Sequence, residues 1–323
     1  MPFLTRALLT AAPLLCALGP VRADTIYVSN ELDNTISVVD GQSLSLVRTI
    51  PVGRRPRGLE LSPDKRTLYV AAGDDNRIDV IDLPSGKVAG SLPSGEDPEV
   101  FALSPDGTRA YVANENDSLV SAVDIASRKV VGEIPVGVEP EGMAVSPDGR
   151  LVLCTSETTS MVHVIGAQKL ALLDNLLVDT RPRWAAFSLD EKQIWVSSEI
   201  RGTLTVFDRD SRKQVAHIEF SVPGMDRELV QAVGFVLNRA GTRAYVALGP
   251  SNRVAEVDAK SFEVLRLYLV GQRVWHVALS PDETRLYTAN GNSSDISVID
   301  LDSHEVIKSI GVGRGPWGVA VAP

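Results

Sequence analysis

Cysteine is nearly missing from this 323-residue chain, with two in all, histidine occurs four times, and aromatic residues make up only 5%. One thiol, Cys16, falls in an apolar stretch that follows Arg6 and precedes Val21-Arg22-Ala23. That arrangement has the form of a secretory signal too short to span a bilayer, so residues 1–23 are expected to be removed after Ala23. Cys154 is then the only thiol left, no intramolecular disulfide is available, and stability must come from a core. A second apolar run of membrane-spanning length is absent. The net charge is −9 and Lys and Arg are scattered, which argues against nucleic acid and anionic membrane as partners. Also missing are long helical patterns, low-complexity linkers and shifts in composition, so residues 24–323 read as one domain.

What fills the chain is a repeat. Short apolar segments close on Asp40, Asp82, Asp124, Asp208, Asp258 and Asp300, with Gly166 in the one departing slot, at steps of 42, 42, 42, 42, 50 and 42 residues. A second marker keeps step: Ser62-Pro63-Asp64, Ser104-Pro105-Asp106, Ser146-Pro147-Asp148, Ser188-Leu189-Asp190, a degenerate Asn238-Arg239-Ala240, Ser280-Pro281-Asp282 and Ala322-Pro323. Self-similarity at such a period denotes a solenoid, an array or a propeller. Each unit resolves into four short strands rich in β-branched and aromatic residues, punctuated by Gly, Pro, Asn and Asp. Ser-Pro-Asp is type I turn chemistry, and Asp-x-x-Ser suits a side-chain-capped hairpin.

A lone four-stranded sheet cannot bury both faces. The stretch Arg314 to Val321 reads as an inner strand with no continuation, while Thr25–Ser29 and Thr35–Val39 read as second and third strands lacking theirs. Together they complete one blade and protect sheet edges. The expected fold is all-β: a seven-bladed β-propeller of four-stranded antiparallel blades, closed by N- and C-terminal strands sharing one blade.

The tetrads Tyr27-Val28-Ser29-Asn30, Tyr111-Val112-Ala113-Asn114 and Tyr287-Thr288-Ala289-Asn290, with Pro51-Val52-Gly53 before Pro56 and Pro135-Val136-Gly137 before Pro140, resemble the repeat of YVTN-family propellers. Exported length and seven-copy layout are similar to the PQQ-dependent catabolism-associated β-propeller proteins. That resemblance implies a periplasmic setting and a place beside PQQ-dependent alcohol oxidation, with a PQQ-dependent dehydrogenase or its electron carrier as partner. It implies no particular reaction.

By analogy with WD-repeat propellers, the strand ending in Ser-Pro-Asp lines the channel, and its first residues rim one mouth. Five residues before each Ser marker stand Arg57, Glu99, Glu141, Arg183, Val233, Trp275 and Trp317; the next slot adds Trp184 and His276. The extra residues of the fifth unit, within Phe220 to Glu228, are expected to project from the same face. Two readings follow. Arg57/Glu99 and Glu141/Arg183 are ion pairs between blades and the indoles plug the channel; or Arg57, Glu99, Glu141, Arg183, Trp184, Trp275, His276 and Trp317 bind a small polar ligand or partner, with the indoles as flat walls and the guanidiniums as forks.

Glu31, Glu115, Glu157 and Glu199 recur after the second strand and offer a Ca²⁺-binding alternative, that of a metal-dependent lactonase-like hydrolase, although these loops are expected outside the innermost strand. The histidines His163, His217, His276 and His304 occupy unrelated slots and give no metal cluster. Gly-x-Ser-x-Gly and Cys-x-x-Cys-His are both missing, so no catalytic residue, cofactor or resident metal is expected. Cys154 reads as a buried, inert thiol.

Overall fold

The computed structural model describes residues 24–323, and the expected signal segment lies outside the described residues. Twenty-eight strands, β1 to β28 in chain order, form seven four-stranded antiparallel sheets. Six sheets are consecutive along the chain, and the seventh has the order β28-β1-β2-β3. The inner strands that line the axis are β28 (Pro316–Ala322), β4 (Pro56–Leu61), β8 (Pro98–Leu103), β12 (Pro140–Val145), β16 (Pro182–Phe187), β20 (Phe235–Leu237) and β24 (Val274–Leu279). The protein is a seven-bladed β-propeller.

Turn chemistry sets the blade spacing. Ser62 Oγ donates to Asp64 Oδ1 at 2.6 Å and accepts the Thr67 N–H at 3.0 Å. The Ser104, Ser146, Ser188 and Ser280 turns repeat this pair of bonds. Where the marker degenerates, Asn238 Oδ1 accepts the Thr242 and Arg243 N–H groups at 2.8 and 2.9 Å, so the turn survives the loss of its Ser. On the outer hairpins Asp40, Asp124 and Asp208 accept the N–H of Ser43, Ser127 and Ser211 at 2.6, 2.8 and 2.8 Å. Side-chain oxygens thus replace ladder bonds at these bends, whereas at Gly166 a backbone bond from Leu170 closes the hairpin.

Closure rests on β1 (Thr25–Asn30), which pairs with β2 (Thr35–Asp40) on one side and with β28 on the other, from Thr25↔Ala322 to Asn30↔Pro316. Because alternate residues of a strand face opposite sides, this blade covers both neighbours. Ile26, Val28 and Val39 pack with Tyr287, Ile296 and Val298 of the last blade, and Tyr27, Ile36 and Val38 pack with Leu61, Leu68 and Val70 of the next. The core is accordingly a ring of seven clusters rather than one central mass.

The fifth-unit insertion is anchored by a few apolar side chains. Phe220, Val222 and Val230 are buried in a cluster with Trp195, Leu204 and Val246, and a 3₁₀ turn spans Arg227–Leu229. Burial of these apolar side chains anchors the segment on two blades, while Pro223, Gly224, Asp226, Arg227 and Glu228 between them are exposed.

Ile26, Val28, Ile36 and Val39 are fully buried. At about 1.5–3 kcal/mol for each such side chain, their loss rivals the roughly 5–15 kcal/mol by which domains are stable. Deleting Asp24 through Asp40 is therefore expected to abolish the cooperative thermal transition, read by circular dichroism. A truncated chain that melts at the parent temperature would contradict closure through this blade.

Candidate functional site

The inner strands start at one mouth from a backbone that is turned back on itself. Arg55, Asp97, Glu139, Arg181 and Arg273 have φ of 55°, 57°, 57°, 64° and 56°, a region that non-glycine residues seldom occupy. Asn side chains of neighbouring loops hold three of them: Asn34, Asn76 and Asn252 accept the N–H of Arg55, Asp97 and Arg273 at 2.9, 3.0 and 2.9 Å. This turn aims two consecutive ranks of charged side chains at the mouth.

The ranks lock together. Arg57 donates to Glu99 and, at 2.9 Å, to Glu31, while Arg55 contacts Asp97 and lies 3.0 Å from Glu99. Arg183 contacts Glu157 and lies 3.0 Å from Glu141; Arg181 donates to Glu157 at 2.6 Å; Arg273 donates to Glu199 at 2.8 Å and to Gln231 at 2.7 Å. Glu99, Glu141, Arg183, Glu157 and Glu199 are all buried. Burial opposes the charge on Arg57 and Arg183, but the surrounding carboxylates outweigh it and hold both guanidiniums well above their ordinary range.

One guanidinium cannot neutralise every carboxyl around it, so burial and mutual repulsion raise the pKa of some of them. Burial pushes Glu141 well up against the pull of Arg183, with Glu99 and Glu157 adding to the rise. Glu115 is pushed up to about 7 by burial and by its hydrogen bond with Glu99. Glu99 itself resists burial and lies below its ordinary value, because Arg57 and Arg55 face it and Glu115 hydrogen-bonds to it.

Under the charged rank sits an aromatic layer. His276 packs against Trp317 with ring centroids 4.1 Å apart and planes tilted by 44°, and it meets Trp184 edge-on at 4.6 Å. Its Nδ1–H donates to the Trp317 carbonyl at 3.0 Å, and burial lowers its pKa to about 3, so the ring is neutral. A Cβ on Gly234 would fall 2.2 Å from the His276 ring, and one on Gly142 would fall 2.5 Å from the Arg183 carbonyl. Glycine at those slots makes room for the large residue of the adjacent blade. Trp275 stands apart at the mouth, half-buried, with the Arg273 guanidinium 4.1 Å and that of Arg183 5.5 Å from its ring centre.

All eight sequence-nominated residues therefore gather near one mouth, in two layers. Arg57, Glu99, Glu141, Arg183 and Trp275 form the charged outer rank, and Trp184, His276 and Trp317 form the partition beneath. Trp184, Trp275 and Trp317 pack on a single cluster. The ion pairs Arg57/Glu99 and Arg183/Glu141 both form. The Glu31, Glu115, Glu157 and Glu199 loops follow the second strands, outside the innermost ones as expected, and their side chains reach inward to this rank. Sequence reasoning missed Arg55, Arg181 and Arg273, which recur two residues before the slot that was read. Cys154 is fully buried and its thiol pKa is raised by burial, as an inert thiol requires.

Below the aromatic layer the channel is open, a cavity of about 750 Å³ bounded by Trp184, His276 and Trp317 at one end and by the Pro147, Leu189 and Pro281 turns at the other. Among the described residues, one group of acids has ligand atoms close enough for a metal, Asp97, Glu99 and Glu115, all within 4.8 Å. Arg55 contacts two of the three, which places a fixed cation against the same oxygens. No helix of the described residues is long and apolar enough to cross a membrane.

Fold and site define a seven-bladed propeller whose channel is plugged at one mouth. A family model described as Lactonase, 7-bladed beta-propeller matches residues 21–92. Curated proteins gave no match. Among solved structures, Kuenenia stuttgartiensis hydrazine synthase aligns with TM-score 0.79 and 19% identity over 85% of this chain and 92% of that one. A functionally unknown protein from Desulfotomaculum acetoxidans aligns with TM-score 0.80 and 16% identity over 92% and 98%. Dihydro-heme d1 dehydrogenase NirN, in complex with DHE, aligns with TM-score 0.68 and 16% identity over 92% and 74%. At such identities the likeness is one of fold.

Two outcomes test the charged rank. Arg183→Met strands the buried Glu141, Glu157 and Glu199 carboxyls and is expected to cost about 3–5 kcal/mol in urea unfolding, as loss of one partner of a buried ion pair does. A change below about 1 kcal/mol would show that the pairing is dispensable. The folded-state pKa of Glu115 is raised from 4.5 to about 7, so its contribution is fully present below 4.5 and lost as pH rises through 7. Glu115→Gln is expected to lessen the fall in melting temperature across that window, and identical pH profiles for parent and variant would refute the assignment.

Proposed function

We propose that this chain is an exported, periplasmic β-propeller that acts as a non-catalytic binding or scaffold protein in PQQ-dependent alcohol oxidation. It engages a small polar ligand or a partner protein at the charged mouth. The observation that supports this reading is the stack at Trp275: Arg273 lies 4.1 Å from the indole centre and is fixed in place by Glu199 and Gln231. A flat apolar face flanked by pre-positioned guanidiniums recognises carboxylates and planar groups at little entropic cost. The arginines behind it spend their charge on neighbouring carboxyls, which suits rigidity better than turnover. The partner on this reading is a periplasmic PQQ-dependent dehydrogenase or its electron carrier.

A second reading, a metal-dependent lactonase-like hydrolase, draws on the family match over residues 21–92 and on the Asp97, Glu99 and Glu115 grouping. It ranks second because Arg55 competes for the ligand oxygens.

Biolayer interferometry of the purified chain against a PQQ-dependent alcohol dehydrogenase and its cytochrome carrier from the same cells tests the preferred reading. Binding to one of them is expected, weakened about tenfold by Trp275→Ala, as for an aromatic anchor. Trp317, being fully buried, would confound the comparison with a packing loss and is left intact. Equal binding by parent and variant, or binding by neither, rejects this site. Calcium-dependent lactone hydrolysis abolished by a chelator would establish the second reading instead.

A further inference from the structure

The channel beneath the plug has a chemistry of its own. Two residues before the Ser marker the repeat carries Ala102, Ala144, Ala186, Val236, Ala278 and Ala320, small side chains that keep the bore open. In the second blade the same slot holds Glu60, and both the carboxylate and its alanine counterparts line the cavity. Glu60 Oε2 accepts the Leu103 N–H of the next blade at 3.0 Å, and no other described residue hydrogen-bonds to this side chain. Its exposure is intermediate although the inner strands enclose it, because it lines the open bore.

We propose that this channel is a binding site for a small aliphatic ammonium compound, anchored by Glu60. The proposal is independent of the reading of the opposite mouth. A volume of about 750 Å³ falls within the roughly 300–1,000 Å³ typical of ligand pockets. The partly exposed Leu59, Leu237, Leu279 and Val319 give walls suited to an alkyl chain, and Trp184 and Trp317 close the far end. The other charged groups lining the cavity are Lys65, Arg239 and Glu283, which all belong to turns or to the strand ends beside them. His276, in the end wall, is neutral. Burial raises Glu60 to about 7, with the Leu103 N–H and Lys65 pulling the other way, so a ligand cation would restore the ionised form. The other six blades carry no carboxyl at this slot, so the blade-to-blade contact does not in general call for one. The chain's net charge of −9 also favours the approach of cations.

The plugging indoles make a built-in reporter. Titration with n-octylammonium chloride at neutral pH is expected to give a saturable change in tryptophan fluorescence, with 1-octanol weaker and octanoate weaker still. Glu60→Gln is expected to weaken octylammonium binding by about tenfold or more, the size of a lost charge-assisted hydrogen bond, while leaving octanol binding within about twofold. Glu60→Ala installs the residue carried by five other blades, so it folds, and it should show the same loss. Octylammonium affinity unchanged in both variants overturns the proposal, as does octanol binding equal to octylammonium, or no saturable signal in the parent.

Discussion

A four-stranded blade buries its faces only against other blades, so every cluster in this ring depends on a neighbour being present. The β1–β28 ladder is where that dependence is met without covalent help. The chain has one described cysteine and it is buried and free. Hydrogen bonds between Thr25–Asn30 and Pro316–Ala322 hold the blade that covers both the Leu61 cluster and the Tyr287 cluster. If those bonds open, two interfaces lose their cover at once, and each strand of the pair becomes an exposed edge. Cooperativity in such a ring follows from geometry: no blade is terminal, so none can fray cheaply.

Closure also creates the electrostatic problem at the mouth. A rotationally repeated fold brings equivalent slots to similar radii, and identical charges there would repel at short range. The order Arg57, Glu99, Glu141, Arg183 places two carboxylates side by side. The structure resolves this by pairing each with an arginine, Glu99 with Arg57 and Glu141 with Arg183, while burial holds the Glu141 pKa up. Loop carboxyls from Glu31, Glu157 and Glu199 complete the neutralisation. The result is a rigid lid in which Trp275 and Arg273 are the parts still facing outward.

Much of this was legible in the residues because a repeat converts sequence position into spatial position. The Asp and Ser markers gave blade number and turn chemistry, and slot counting found the rim residues from Arg57 to Trp317. Long side chains escaped that logic. Glu115 and Arg273 reach the rank from slots that counting alone assigns elsewhere, because a reach of several ångströms is set by rotamer and by the left-handed turn. The anchors of the insertion escaped for another reason: length alone does not show that Phe220, Val222 and Val230 have a core to enter. Glu60 was readable, as a lone acid in a column of small residues, but only when the columns between the markers are compared.

The aromatic partition gives the two mouths separate chemistry. A charged plug would have extended the field of the arginine rank into the bore and drawn anions toward it. His276 instead stays uncharged between Trp184 and Trp317, giving the channel an apolar end wall. On one side the protein presents guanidiniums and an indole already committed to fixed positions; on the other, a largely hydrocarbon bore with Glu60 set into it and Lys65, Arg239 and Glu283 at its turns. Ligands suited to one mouth are poorly matched to the other. Occupancy of the bore need not disturb the rank above unless the indoles themselves move.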